Sequence, residues 1–236
     1  MTVSAAVIMM VTLVGLWVRR HTWRYHWEVQ PSVILGLQTV ATMLLTPWAA
    51  TMLGPWLHRV LGLWNVTGLV GMLGVLLTGV AMIAHLLSRL TLDSHGEVFG
   101  RRVGAALSFG LPLLVGAFVV GHAGYEPVRQ IFDARGPRFA AFWAVLGGLF
   151  VYLGYYSSRL LLIIRADPRS KRAAELYLVW AGCGFGIAGC VWVTALFGSN
   201  VCVPAWTFGC IGTVASTWAS IGSWRAKRRT FVEAGG

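Results

Sequence analysis

Long apolar runs, separated by short segments that carry arginine, dominate this chain. An apolar run of about 20 residues forms a helix that can cross the hydrocarbon core of a bilayer, where an irregular backbone would leave its polar groups without hydrogen bonds. The sequence therefore predicts an all-α fold, a polytopic transmembrane helical bundle at residues 1–224 with a basic cytoplasmic tail at 225–236. Seven spans are expected, at residues 3–18, 31–53, 63–87, 103–124, 139–164, 177–197 and 207–224.

The composition excludes an ordinary soluble domain. Hydrophobic residues make up 57% of the 236-residue chain and charged residues only 11%, whereas soluble domains are about half apolar and a quarter charged. The excess of 19 Lys+Arg over 8 Asp+Glu would suggest nucleic acid as the partner of a soluble protein. In a membrane protein, basic residues collect beside the anionic cytoplasmic leaflet. We therefore expect the lipid bilayer, and no nucleic acid, to be the partner of these charges.

Basic side chains are concentrated in alternate connections, which predicts the orientation of the bundle. The connections after the first, third and fifth runs and the tail carry Arg19, Arg20, Arg24, Arg89, Arg101, Arg102, Arg165, Arg169, Lys171, Arg172, Arg225, Lys227, Arg228 and Arg229. The remaining connections carry Arg59, Arg129, Arg135 and Arg138. Because positively charged loops stay in the cytoplasm, we expect the N-terminus outside and the C-terminus in the cytoplasm of a multi-pass plasma-membrane protein.

Local signals predict several interruptions of the helices. Pro47, near the end of the second run, predicts a kink or an unwound turn. Residues 54–62 are expected to form a brief loop, and the side chain of Asn65 to cap the third helix. In the longest outer loop, at 125–138, residues 127–133 could form a short interfacial helix.

Two ionisable residues within the apolar runs, His85 and Arg159, are candidates for a functional site. A charge inside hydrocarbon costs several kcal/mol, on the order of 3, unless it reaches the headgroups or a partner. Arg159 can extend to the inner headgroups, and His85 can be an interfacial imidazole bonded to backbone or water. The alternative is a polar pathway lined by His85, Tyr152, Tyr155, Ser158 and Arg159.

Small residues in the last two runs predict close packing of their helices. Side chains four residues apart lie on one helix face, and small ones let two backbones approach. The residues concerned are Gly182, Gly186, Gly209, Gly212, Ser216 and Ser220. Packing within one chain and a homodimer face are both compatible with this pattern.

Motifs for catalysis or for metal binding do not occur in the sequence. There is no H-E-x-x-H, Walker loop, G-x-S-x-G or C-x-x-C, so we expect no catalytic residue, no metal and no cofactor. Cys202 and Cys210 both fall near the outer surface, where an oxidising compartment would permit a disulfide. Two separate thiols are the alternative.

Three sequence features resemble a family of actinobacterial seven-helix membrane proteins of uncharacterised activity. They are Pro47, the segment LGLWNVTG at residues 61–68 and the segment RLLLIIR at residues 159–165. Some members of that family are labelled transporters, and some lie in prophage-like gene neighbourhoods. The resemblance implies a seven-helix membrane architecture and offers no catalytic residue.

Three functional hypotheses follow. The first is a non-enzymatic protein that transports or admits a small solute along the polar pathway. The second is an interaction protein, such as a phage exclusion factor, a homo-oligomer or a subunit of a membrane complex. It would bind its partner through the outer-loop residues Arg129, Asp133 and Arg135 or through the tail. The third is a haem or quinone membrane enzyme.

Overall fold

The computed structural model describes residues 2–22, 26–90, 95–121 and 127–234, and side chains for 3–22, 29–90, 96–121 and 127–226. Within these ranges every regular element is helical, which confirms the all-α fold. The α-helices are α1 (Thr2–Val18), α2 (His26–Leu44), α3 (Pro47–Leu61), α4 (Val66–Arg89), α5 (His95–Phe99), α6 (Ala105–Val120), α7 (Pro137–Arg165), α8 (Lys171–Phe197) and α9 (Cys202–Ala234). A π-helical turn, Gly100–Gly104, joins α5 to α6, and the 3-10 turn Ile131–Asp133 precedes α7. Arg24, residues 122–124 of the predicted fourth span and the tail side chains after 226 lie outside the described residues.

Several of these helices are long and apolar enough to cross a membrane. In the described part of the chain, α4, the α5–α6 segment Gly96–Val120, α7 and α8 meet that criterion. The bent pair α2 and α3 counts as a fifth candidate if it forms one span. Helix α1 is apolar but has only 17 residues, and the apolar half of α9 is interspersed with serine, threonine and tryptophan. The length and apolar composition of these helices are compatible with a multi-pass membrane protein, and the number seven remains a prediction.

Six helices close into a ring. Helix α1 packs against α2 and α9, α2 against α4, α4 against α7, α7 against α8, and α8 against α9. Helix α6 lies outside this ring and packs on α7, so most of its surface is exposed, including Phe109 at 82%. Helix α3 also lies outside, against α4. The ring therefore encloses an interior to which residues far apart in the sequence contribute.

The second apolar run is not one straight helix. Helix α2 ends at Leu44 and α3 begins at Pro47, with a bend of 76° between them. A proline disfavours the helical conformation in the residue before it, and Thr46 is accordingly extended. Its Oγ1 accepts a hydrogen bond from the Ala49 N–H at 3.3 Å. The interruption predicted near Pro47 is thus confirmed.

The loop predicted at residues 54–62 is wrong, because α3 continues to Leu61. Pro55 fixes a φ angle that a helix accepts and removes one hydrogen bond. The carbonyl that loses its donor belongs to Thr51, which is exposed and can bond to water or headgroups. The helix ends instead at Gly62, whose φ of 71° is left-handed and whose N–H binds the His58 carbonyl at 2.8 Å.

The Arg19 guanidinium is buried, although the charge pattern predicts a residue in a cytoplasmic loop. Its side chain is 1% exposed and lies where α1, α2 and α9 meet. Its Nε donates to Ser32 Oγ at 3.2 Å and its Nη1 to the Ser220 carbonyl at 2.6 Å. The arginine therefore joins the end of α1 to two neighbouring helices.

The glycines of α8 differ in what surrounds them. A Cβ on Gly186 would lie 2.7 Å from the Phe208 ring of α9, whereas a Cβ on Gly182 would have nothing within 4 Å. A Cβ on Gly212 would meet Cys183 at 3.1 Å, and one on Gly209 would meet Ile8 of α1 at 3.6 Å. Small residues therefore do pack α8 against α9 within one chain, but Gly182 is not at that contact.

We predict that Gly186→Ala lowers the free energy of unfolding by about 1–3 kcal/mol, because overpacking forces Phe208 aside. Gly182→Ala is the matched control, because Gly182 lies one turn before Gly186 on α8 and a Cβ there has nothing within 4 Å. It should be neutral or slightly stabilising, since alanine favours helix over glycine by about 1 kcal/mol. Unfolding in mixed micelles, followed by tryptophan fluorescence, measures both. Equal effects of the two substitutions would contradict this packing.

Candidate functional site

The helix ring encloses a cavity of about 120 Å³, and each of its six helices contributes to the wall. No charged side chain of the described residues lines it. Glycines from four helices, among them Gly79, Gly154, Gly184 and Gly212, leave the space open. The polar lining residues are Gln38, Thr42, Thr78, Thr213 and Trp206. The remaining wall is apolar and rich in aromatic rings.

The polar side chains around this cavity differ in their hydrogen bonds. Gln38 donates from Nε2 to Thr213 Oγ1 at 2.5 Å, but its Oε1 is buried without a donor. The Trp206 indole interacts with the Cys202 thiol, which lies one turn earlier on α9. The hydroxyl of Thr78, by contrast, donates to the Gly74 carbonyl at 2.9 Å. The Gln38 amide oxygen is thus an acceptor without a donor, and it is enclosed by protein beside the cavity rather than exposed to it.

One end of the cavity is covered by residues 127–136, here called the plug segment. Ile131, Phe132 and Ala134 are buried, and Phe132 lines the cavity. The Phe132 ring is parallel to Trp143, with centroids 6.0 Å apart, and meets Trp206 edge-on at 6.1 Å. The interfacial helix expected at 127–133 is therefore wrong. Only one 3-10 turn forms, because two adjacent apolar side chains draw the segment inward.

Hydrogen bonds hold the plug segment to the helices. The Val128 N–H donates to Asn65 Oδ1 at 3.0 Å, and the Trp143 indole donates to the Ala134 carbonyl at 2.9 Å. Gln130 Nε2 contacts Asp133 Oδ1 at 3.1 Å and Cys202 Sγ at 3.3 Å. The capping role predicted for Asn65 is wrong, since its side chain makes no capping bond and its φ is 59°. Asn65 instead anchors the plug segment.

The three residues predicted to contact a partner, Arg129, Asp133 and Arg135, differ in their exposure. Arg129 and Arg135 are exposed. Asp133 is half-buried and accepts a hydrogen bond from within the plug segment. This surface therefore presents two arginines rather than a mixed-charge triplet.

The residues of the predicted polar pathway are not brought together. His85 is buried, with its Nδ1 3.0 Å from Gln30 Oε1. Tyr152 donates to the Arg102 carbonyl at 2.7 Å, and Ser158 is half-buried. Tyr155 and Arg159 are exposed on α7, with the guanidinium 5.9 Å from the centre of the Tyr155 ring. None of these five lines the cavity.

The disulfide considered for Cys202 and Cys210 does not form. Both belong to α9 and are eight positions apart, or roughly 12 Å along the axis. A disulfide needs Cα atoms within about 7 Å. Each carries a thiol, and Cys210 Sγ lies 3.5 Å from the Ser4 carbonyl. In the described part of the chain no three His, Cys, Asp or Glu side chains group as metal ligands would.

Ser216 and Ser220, the remaining small residues of the predicted ladder, are both buried on α9. Ser216 donates to the Thr213 carbonyl at 3.1 Å, and Ser220 supplies its carbonyl to Arg19. The ladder therefore faces the interior of the bundle.

Comparison of the chain with protein-family models, curated proteins and solved structures found no match. The resemblance to the actinobacterial seven-helix family thus stays a prediction.

Proposed function

We propose that this chain is a non-enzymatic, multi-pass plasma-membrane protein that binds, and as a carrier admits, a small uncharged solute inside its helix ring. The cavity of about 120 Å³ carries this proposal. Binding sites for small molecules are concave and mostly apolar, with a few placed polar groups. An apolar cavity of about 150 Å³ in another protein binds benzene. The size here suits a molecule of that order.

Seven spans with the N-terminus outside are part of this proposal. Helices α1 and α9 pack between α2 and α8 in the ring, so they share the depth of candidate spans. Helix α3, bent by 76° from α2, carries the exposed Trp48 and Trp56, which suits an outer interfacial helix. The charge pattern then puts the plug segment on the outer face. A solute would enter from outside past Phe132.

Binding of a small apolar probe tests the proposal. Fluorobenzene is titrated into the protein in lipid nanodiscs, with empty nanodiscs as the blank, and saturable binding is followed by ¹⁹F NMR. Gly184→Leu fills the cavity, because Gly184 lines it and a Cβ there meets nothing within 4 Å. We expect this substitution to weaken fluorobenzene binding at least about tenfold, a loss of about 1.4 kcal/mol.

Gly189→Leu is the matched control. Gly189 lies on the exposed face of the same helix, and a Cβ there also meets nothing within 4 Å. This variant should bind fluorobenzene like the unchanged protein. Absence of saturable binding to the unchanged protein, or equal loss in the two variants, would overturn the proposed function.

A further inference from the structure

A threonine hydroxyl in the wall of the cavity indicates the chemistry of the solute. We infer that the cavity binds a compact neutral molecule with a mostly apolar body and one hydroxyl group, as in phenols and small alcohols, and that Thr42 pairs with this hydroxyl group. The inference rests on the proposed function and names the class of molecule that the same cavity binds.

Thr42 does not make the hydrogen bond that is usual for a threonine inside a helix. Such a threonine can donate its hydroxyl hydrogen to the carbonyl four residues earlier. Thr39, on the same helix, does so to the Leu35 carbonyl at 2.8 Å. Thr42 Oγ1, by contrast, makes no hydrogen bond to any residue that the structure describes. Its hydrogen is therefore available to a solute.

The Thr42 hydroxyl can be reached from the cavity. Thr42 is only 5% exposed, and it lines the cavity. Its Oγ1 is not among the side-chain atoms that the protein encloses without a partner, whereas Gln38 Oε1 is. Because a polar group that is buried without a partner destabilises the protein, a solute that pairs with Thr42 gains an interaction that a purely apolar solute lacks.

The other threonine hydroxyls of the wall already donate their hydrogens to the protein. Thr78 donates to the Gly74 carbonyl at 2.9 Å, and Thr213 donates to the Gly209 carbonyl at 2.7 Å. Of these three threonines, Thr42 alone keeps a hydrogen that a solute can accept. A hydroxyl group suits Thr42, since either partner can donate. Further polar groups on the solute would lose their hydration against an apolar wall, which disfavours sugars, polyols and ions.

The rest of the wall favours a ring as the apolar body of the solute. Aromatic side chains prefer offset or edge contacts with another ring. The aromatic residues of the wall are Phe132, Phe150, Trp180, Trp206 and Phe208. A phenol combines such a ring with one hydroxyl group, so 4-fluorophenol is a suitable probe.

Exchange of one hydroxyl for a methyl group, on the probe and on the protein, tests this inference. 4-Fluorophenol and 4-fluorotoluene have nearly the same shape, and so do threonine and valine. Binding of both probes to the unchanged protein and to Thr42→Val is measured in lipid nanodiscs by ¹⁹F NMR. We expect Thr42→Val to weaken 4-fluorophenol binding about tenfold and to change 4-fluorotoluene affinity less than about twofold. The unchanged protein should bind 4-fluorophenol at least as tightly as 4-fluorotoluene.

Thr207→Val is the matched control. Thr207 is exposed on α9 and does not line the cavity, and its hydroxyl donates to the Val203 carbonyl at 3.0 Å. This substitution removes the same hydroxyl from the outer surface of the bundle, so the affinity of both probes should stay unchanged. Binding of 4-fluorotoluene to each variant reports that the cavity is intact.

The outcomes distinguish the two proposals. If neither probe nor fluorobenzene binds saturably, the proposed function falls and the inference with it. If 4-fluorotoluene binds but Thr42→Val affects both probes equally, or if the unchanged protein prefers 4-fluorotoluene, the inference is wrong while the proposed function stands. The preference of the unchanged protein requires no substitution, so it decides the inference even if Thr42→Val does not fold.

Discussion

Arg19→Ala is expected to lower the free energy of unfolding by about 3 kcal/mol. A hydrogen bond to a charged group contributes about 1.5–3 kcal/mol, and removal of one partner leaves the other buried without a bond. Here both bonds of the guanidinium, to Ser32 Oγ and to the Ser220 carbonyl, would be lost, although Ser32 Oγ keeps its hydrogen bond to Thr22 Oγ1. The space of a side chain that is 1% exposed would also be emptied. Unfolding of the protein in mixed micelles by a denaturing detergent measures the loss.

The neighbouring arginine provides the matched control. Arg20 is exposed and lies with its guanidinium 4.5 Å from the centre of the Trp17 ring. An exposed contact of this kind contributes about 0.5–1 kcal/mol, so Arg20→Ala should change stability little. If the two alanine substitutions cost the same, Arg19 does not hold the three helices together.

Charge counting could not predict the burial of Arg19. The positive-inside pattern treats every arginine beside a span as a cytoplasmic charge, and Arg19 stands next to Arg20 in the sequence. Burial depends instead on Ser32 and Ser220, which lie on two other helices. The pairing of residues 19 and 220 is a tertiary contact that no local pattern contains.

The sequence predicts the structure better where a single residue determines the local backbone conformation. Pro47 predicts the break after α2 because a proline restricts the residue before it, and the structure bends there. The loop predicted at residues 54–62 is wrong because Pro55 is tolerated in an exposed helix, where the carbonyl that loses its donor can be solvated. Apolar length predicts the helices themselves, since the bilayer imposes it.

The cavity has a weak signal in the sequence. Gln38 is a neutral amide in the middle of an apolar run, where polar side chains are costly and mark functional positions. The ionisable residues His85 and Arg159 are more conspicuous in the sequence, but both lie outside the cavity. A cavity assembled from six helices depends on which face each helix turns inward. The apolar residues of α9 are spread around the helix, so its sequence does not indicate that face.

The plug segment gives the second large expected effect. Phe132→Ala should remove about 3 kcal/mol of burial energy, because Phe132 is 8% exposed and contacts two tryptophan rings. Such a loss shifts an opening equilibrium about a hundredfold. Cys183 lines the cavity, so its labelling from outside reports the opening. We expect a small sulfonate-bearing thiosulfonate to label Cys183 up to about a hundredfold faster in intact cells, in a chain with Cys183 as its single cysteine.

Phe109→Ala is the control for this substitution, since Phe109 is 82% exposed on α6, outside the ring. It removes the same ring from a surface that faces lipid and should leave Cys183 labelling unchanged. The side of labelling carries further information, because acceleration in inverted vesicles alone would put the plug segment in the cytoplasm. The seven-span orientation would then be reversed, whereas no acceleration from either side would mean that Phe132 does not close the cavity.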